Sequence, residues 1–216
     1  RYGKQKKAYK GVCMSMINVH NFYVGDEKEI CEEIRAWSAF ALEKKSPYFN
    51  NMPPCPYAKK AWLDNRVAIV FKYGGSQALT SCMSNFSDSL DLVIIVDQFF
   101  KRDAESFHGE LETYNEAISQ GIFGQKDLWL MGFHPDDDSN DLVDDGSFEP
   151  HINTPYAMIF LQRLSKVQEA AYTLRELGYY DKYQEDYNVD EIFNQRETLY
   201  RRLKDGDETQ KKTSSG

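Results

Sequence analysis

The chain has 216 residues, of which 41% are hydrophobic, 14% aromatic and 28% charged, and its formal net charge is −8. This length and apolar content are typical of one folded domain with a sizeable core, and they argue against a globally disordered chain. The negative charge argues against a general role in coating nucleic acid, which needs a basic surface.

The sequence also bears on cellular location. The four cysteines, Cys13, Cys31, Cys55 and Cys82, form no CxxC pair, and no signal-type apolar segment follows the basic residues 1–10. No apolar run approaches the roughly 18 residues that a membrane helix needs. We therefore expect a cytoplasmic protein with reduced thiols and no membrane partner.

Composition divides the chain into four parts. Residues 1–10 predict a flexible basic lead, and residues 11–178 a single core domain. Residues 179–205 predict a tyrosine-rich connection followed by a C-terminal helix. Residues 206–216 are polar and predict a disordered tail.

The first third of the chain alternates strand-like and helix-like segments. Residues 12–24 are rich in β-formers and predict a strand that ends at Gly25. Asp26 and Glu29 have the spacing of a capping box, which predicts a helix reaching about residue 43. Residues 66–73 predict the next strand.

The middle of the chain predicts a crossover unit. Residues 80–89 indicate a loop or a short helix, and residues 91–99, which contain the most apolar stretch, predict a central strand. Asp103 caps a predicted helix that ends at Gly121, and residues 128–133 predict a further strand. Strand, helix and strand in this order predict that part of the sheet is parallel.

The last third is mainly helical in pattern. Residues 155–161 fit either a strand or the start of a helix, because their periodicity does not decide. A helical stripe then ends at Gly178, and Asp190 is expected to cap a last helix carrying Ile192, Phe193, Leu199, Tyr200 and Leu203. We therefore predict a mixed α/β (α+β) fold, with one sheet of about four or five strands, packed helices and a helical C-terminal extension.

A proline-rich elbow, Met52 to Tyr57, is the best candidate site in the sequence. Pro56 suits the first turn of a helix, so Cys55 is expected to be its N-cap. A thiol there faces unpaired backbone N–H groups and the nearby Lys59, surroundings that lower a cysteine pKa. The alternative is a small buried residue in a rigid turn.

One further segment of the sequence is a candidate site. Residues 136–149 contain seven acidic residues and no lysine or arginine, but they lack the glycine and glutamate positions of a calcium loop. They predict either a mobile acidic loop or a metal site. His108 lies off the apolar stripe of its helix and is expected to be a solvated surface histidine.

Three short motifs occur in order: Cys55-Pro56-Tyr57-Ala58, Phe133-His134-Pro135 and Pro155-Tyr156, the last leading to Arg163. With them, residues 47–177 resemble the bacterial domain-of-unknown-function family numbered fourteen-fifteen. The resemblance implies sites at these motifs and no particular chemistry. The chain departs from the family pattern at Asn153 and Phe160, where the family has arginine and histidine.

Two classes of function follow from these residues. In the first, the chain is a thiol- or metal-dependent enzyme in which His134 activates Cys55, and Lys59, Arg163 and Tyr156 bind a small anionic molecule. A divalent metal is a candidate cofactor, with His134, Asp136 and His151 as its ligands. In the second, the chain is a non-catalytic binding or assembly module that uses the acidic loop and the C-terminal helix to hold a protein partner. The sequence does not indicate an oligomeric state.

Overall fold

The structure is a computed structural model that describes residues 27–73, 75, 77–124, 127–137, 148, 156–186 and 188–213. Within these residues, one mixed four-stranded sheet is surrounded by helices, including a C-terminal helix. The predicted mixed α+β fold is therefore confirmed. The predicted strand at 12–24 and most of the acidic segment lie outside the described residues.

The sheet combines one parallel and two antiparallel pairings. Its strand order is β1-β2-β4-β3, with β1 parallel to β2 and β4 antiparallel to both of its neighbours. The carboxyl ends of β1, β2 and β3 therefore lie at one edge, which we call the carboxyl edge. The strands are β1 Val67–Lys72, β2 Leu92–Asp97, β3 Trp129–Phe133 and β4 Ala157–Gln162.

Seven α-helices are described. Among the described residues, none of the helices is long and apolar enough to cross a bilayer. Their bounds are α1 Glu27–Trp37, α2 Ala58–Leu63, α3 Gln77–Ser84, α4 Ala104–Ser119, α5 Leu164–Glu176, α6 Tyr183–Asp186 and α7 Val189–Thr213.

Each face of the sheet carries its own core, because alternate residues of a strand point to opposite faces. On β2, Val93 and Ile95 pack with α3 and α4, whereas Ile94 and Val96 pack with α1. Full burial on both faces explains the continuous apolar run of this strand. Its predicted central position is confirmed.

Of three further elements, one ends where predicted, one is decided between two alternatives, and one has different bounds from those predicted. The first helix continues to the predicted end as a π-helical segment, Ser38–Leu42. Residues 157–162 form a strand, which decides between the two alternatives left by their periodicity. The last helix begins at Val189, so Asn188 and not Asp190 accepts from the N–H of Glu191, and the helix continues to Thr213, into the stretch predicted to be a disordered tail.

Gly132 marks the closest approach between β3 and α4. A Cβ atom at this position would lie 2.4 Å from a ring carbon of Phe107 and 2.6 Å from a methyl of Leu111. We expect Gly132→Ala to lower the free energy of unfolding by about 1–3 kcal/mol, because a well-packed core must shift to admit the methyl group.

The measurement is denaturant unfolding of Gly132→Ala beside Gly109→Ala. Gly109 lies in α4 with no atom within 4 Å of its would-be Cβ, so alanine there should be neutral or stabilising by up to about 1 kcal/mol. Equal stability of the two variants would contradict the packing argument.

Candidate functional site

Helix α2, which follows the elbow, begins at a different residue from the one predicted. The N-cap of α2 is Tyr57, which makes no side-chain capping bond, and the helix has only six residues. Cys55 precedes it, with its backbone N–H donating to the carbonyl oxygen of Leu42 at 3.0 Å. The prediction of Cys55 as the N-cap is wrong, because this bond to the π-helical segment fixes the elbow before α2 begins.

The surroundings of the Cys55 thiol disfavour its thiolate form. Burial raises its pKa, and the backbone N–H groups of Tyr57 and Ala58, which lower it, do not compensate. The acid Glu43 raises it further. Cys55 therefore carries its proton at neutral pH.

His134 is a buried histidine with both ring nitrogens engaged by backbone groups. Its side chain is 1% exposed. The ring Nε2 lies 3.0 Å from the carbonyl oxygen of Arg102, and Nδ1 accepts from the N–H of Asp136 at 3.2 Å. Because a carbonyl only accepts, Nε2 carries the hydrogen, and the ring is the neutral tautomer that links two loops.

The described contacts of Cys55 and His134 have no residue in common. Cys55 contacts the end of the π-helical segment and the first turn of α2. His134 packs against Phe100 and Phe107, with ring centroids at 4.8 and 5.5 Å. These contacts provide no support for the activation of Cys55 by His134.

The predicted substrate-binding residues Tyr156 and Arg163 lie at opposite ends of strand β4. They flank the two ends of β4, whose six residues span about 20 Å. The Tyr156 hydroxyl donates to the buried Glu33 at 2.7 Å, while Arg163 pairs with Asp88 at 2.6 Å. One small molecule could not contact both.

The remaining predicted residues form no shared site in the described structure. Lys59 is exposed on α2, and the Asp136 side chain, 81% exposed, lies 3.8 Å from His134 Nδ1. His151 and Asn153 lie outside the described residues. Within the described ranges, no group of three or more histidine, cysteine, aspartate or glutamate side chains is arranged around a common metal position.

His108 is paired, not simply solvated. Its Nε2 lies 2.8 Å from Asp137 Oδ1, and the other oxygen of Asp137 accepts from the backbone N–H of His134 at 2.7 Å. The pair joins α4 to the turn after β3, at the carboxyl edge. His108, which we expected to be only solvated, therefore also helps to hold this turn.

Three segments far apart in sequence converge at the elbow. The Tyr179 hydroxyl donates to the carbonyl oxygen of Pro54, and the Tyr179 ring lies edge-on to Tyr180 at 4.7 Å. Arg196 of α7, through hydrogen bonding and its charge, lowers the pKa of the Tyr180 phenol, and the Tyr57 phenol raises it. We call Pro54, Tyr57, Tyr179, Tyr180 and Arg196 the elbow cluster.

The chain reversal after α5 positions the two tyrosines. Gly178 has φ +70°, the left-handed conformation that commonly ends a helix. The backbone N–H of Tyr179 donates to the carbonyl oxygen of Leu174. A Cβ at Gly178 would lie 2.7 Å from Asp181 Oδ2. The amide of Asn50 also donates to the carbonyl of Leu177 at 2.9 Å, which ties the reversal to the elbow region.

Arg196 is the unusual member of the elbow cluster. Burial lowers its pKa, and its Nε atom is shielded from solvent with no hydrogen-bond partner among the described residues. No ion pair to Arg196 occurs in the described part of the chain, and its described electrostatic partner is the Tyr180 phenol. Its positive charge is therefore not neutralised by a described carboxylate.

Arg196 could have been identified in the sequence as a charged residue within the apolar stripe of α7. Phe193 and Leu199 are buried on α7, and Arg196 lies between them at helical spacing. A charged residue on a buried stripe points to a special role. Ile192, which was included in the predicted stripe, is instead 53% exposed.

Comparison with models of known families, with curated proteins and with solved structures finds no match to this chain. The resemblance to the domain-of-unknown-function family therefore stays a prediction.

Proposed function

We propose that the protein acts by non-covalent binding at the elbow cluster and not by thiol chemistry. The observation that supports this most is the convergence of the elbow, the tyrosine-rich connection and α7 around Arg196. A site assembled from distant segments and containing one half-exposed tyrosine, Tyr57, offers both a charge and an apolar contact. A cytosolic setting would fit the reduced thiols of Cys31 and Cys55.

The residue types of the elbow cluster favour recognition. Tyrosine provides a large, rigid contact surface with a polar end, and arginine provides a forked set of donors. Both are enriched where proteins bind partners. The proposal retains the C-terminal helix of the predicted binding module and replaces the acidic loop with the elbow.

The proposal predicts low reactivity of Cys55. Because burial raises its pKa, alkylation by iodoacetamide at pH 7 should be no faster than that of Cys31, whose pKa burial raises to about 11. Peptide-level mass spectrometry on the folded protein measures both rates in one sample. Alkylation of Cys55 at least about tenfold faster than that of Cys31 would instead support a thiolate nucleophile.

Binding itself is tested by native mass spectrometry of the protein purified from cells. Tyr57→Ala should reduce the fraction of chain that carries a bound molecule. Leu63→Ala is the matched control, because Leu63 is an exposed residue of the adjacent α2, at 69% exposure. Equal occupancy in both variants and the unmodified chain would count against the elbow cluster as the binding site.

A further inference from the structure

We propose that the elbow binds an acidic segment of a protein partner through a surface of four exposed lysines. This inference rests on the proposed function, because it names the kind of molecule that the elbow holds. The lysines are Lys44, Lys45, Lys59 and Lys182, and we call them the lysine surface. Tyr57, which lies between Lys45 and Lys59 in the sequence and is 50% exposed, provides the aromatic contact.

The backbone brings three of these lysines to the elbow. Two backbone contacts, Ser46 with Met52 and Leu42 with Cys55, hold two runs of the chain side by side. One run carries the first two lysines, and the other is the elbow itself. Helix α2 follows the elbow directly and carries Lys59 in its first turn.

Lys182 reaches the same region from the tyrosine-rich connection. Its ammonium group lies 5.4 Å from the ring centroid of Tyr48, in the loop that precedes the elbow. The Tyr179 hydroxyl, three residues earlier, donates to the carbonyl oxygen of Pro54. The lysine surface is therefore assembled from two distant parts of the sequence, as the elbow cluster is.

The positive charge of the lysine surface is not balanced by local acids. Residues 44–63 contain four lysines and no acidic residue. Lys60 pairs with Asp64, and Glu43 pairs with Arg35 at 2.5 Å. None of the ion pairs between described residues involves the lysine surface. These four exposed charges are therefore available to an acidic partner.

An acidic protein segment fits this surface better than a nucleic acid does. The chain has a net charge of −8, so a long polyanion that extends beyond the lysine surface meets repulsion from the rest of the protein. Asp181, next to Lys182 in the sequence, limits the positive area further. A short segment with separate carboxylates can pair with individual lysines, which are point charges on flexible side chains.

A contact within the chain shows the same combination of groups. The Phe148 ring lies 5.6 Å from the Phe40 ring, and the Lys44 ammonium group lies 3.8 Å from the centroid of that Phe40 ring. Phe148 belongs to residues 136–149, which contain seven acidic residues. An aromatic residue of an acidic sequence therefore lies beside one member of the lysine surface. We expect the partner to place an aromatic residue of its own against Tyr57.

The test measures how a short fluorescent peptide, in which glutamates surround one phenylalanine, binds the full chain. Fluorescence anisotropy should show saturable binding that weakens as sodium chloride is added, because salt screens exposed charges. Lys45→Gln/Lys59→Gln should raise the apparent Kd about fivefold or more, as expected for two lost surface ion pairs. Absence of saturable binding, or equal binding of a peptide with glutamine in place of glutamate, would overturn the inference.

Lys101→Gln/Lys204→Gln is the matched control, because it removes the same charge at two exposed positions outside the elbow. Its apparent Kd should stay within about twofold of that of the unmodified chain, since distant exposed charges are screened. Both double variants change only exposed side chains, so both should unfold near the temperature of the unmodified chain. Equal weakening of binding in the two variants would mean a general charge effect and would overturn the lysine surface.

The aromatic contact has its own test, a double-mutant cycle. Tyr57→Ala should raise the apparent Kd about threefold or more, whereas Tyr57→Phe should leave it within about twofold, because the ring remains. With a peptide that carries alanine in place of phenylalanine, Tyr57→Ala should have little further effect. An equal loss with both peptides would overturn the contact between the two rings.

A single-stranded DNA oligonucleotide of the same charge as the peptide represents the competing class of partner. At the same ionic strength it should bind more weakly than the peptide. Tighter binding of the oligonucleotide that is lost in Lys45→Gln/Lys59→Gln would overturn the acidic protein segment as the partner.

Failure of this inference differs from failure of the proposed function. If the peptide does not bind in a manner that depends on the lysine surface, the acidic partner is wrong, while slow alkylation of Cys55 and a Tyr57-dependent bound mass would still support binding. Fast alkylation of Cys55 with lysine-dependent peptide binding intact would overturn the non-covalent proposal and leave the lysine surface in place.

Discussion

Replacing Asn115 with leucine is expected to lower the free energy of unfolding by about 2–5 kcal/mol, because it leaves two buried backbone groups without partners. The Asn115 amide donates to the carbonyl oxygen of Leu130 at 2.9 Å and accepts from the N–H of the same residue at 2.8 Å. Asn115 is 3% exposed. Its side chain therefore acts as a short piece of strand that completes the free edge of β3.

Denaturant unfolding measures this loss, and Asn85→Ala provides the matched control. Asn85 also bonds to a backbone carbonyl, that of Ser81, but at an exposed position, so its loss should cost about 0.5 kcal/mol or less. Hydrogen exchange at the Leu130 amide should accelerate only in the Asn115 variant. Wild-type exchange at Leu130 in that variant would contradict the role given to Asn115.

His134→Ala is the second change with a large expected effect, a loss of about 2–4 kcal/mol in the free energy of unfolding. The substitution removes both hydrogen bonds to backbone groups and leaves a cavity beside Phe100 and Phe107. Thermal and denaturant unfolding measure the effect.

His108→Ala separates this structural role from the general cost of losing a histidine. The His108 side chain is 40% exposed, and its bond to Asp137 is a surface pair, so we expect a loss below about 1 kcal/mol. If His134 were instead poised as a base, its alanine variant would remain nearly as stable as the His108 variant while losing function.

The parts of the fold that could be predicted are those that apolar periodicity encodes. The central position of β2 follows from a run of residues buried on both faces, and α4 begins where Asp103 caps it, accepting from the N–H of Ser106 at 2.7 Å. β4 could not be decided, because a strand buried along most of its length shows no alternation of polar and apolar residues.

The candidate site was harder to predict because tertiary contacts determine it. Cys55 has the local sequence of a helix cap. Its hydrogen bond to Leu42 and its burial, however, depend on the π-helical segment, which lies earlier in the sequence. The pairing of Cys55 with His134 was a hypothesis from general sheet topology, and the described contacts give it no support. Motif order along the chain did not specify distance in space.

Polar residues within apolar stripes were the overlooked signal. Asn115 lies four residues after Leu111 on α4, and Arg196 lies three after Phe193 on α7, in each case on a buried face. A search for hydrophobic periodicity passes over such positions because it scores only the apolar members. In this chain, one of them completes a strand and the other defines the proposed ligand site.

The pairing of β2 with β4 also has a consequence for the time course of folding. Leu92 is opposite Gln162, 70 positions later, so the centre of the sheet forms only after a long loop closes. The contact of α4 with β3 is far more local, since Asn115 and Leu130 are 15 positions apart. We therefore expect α4 and β3 to associate early and the central pairing to limit the folding rate, as is common where non-local strands must meet.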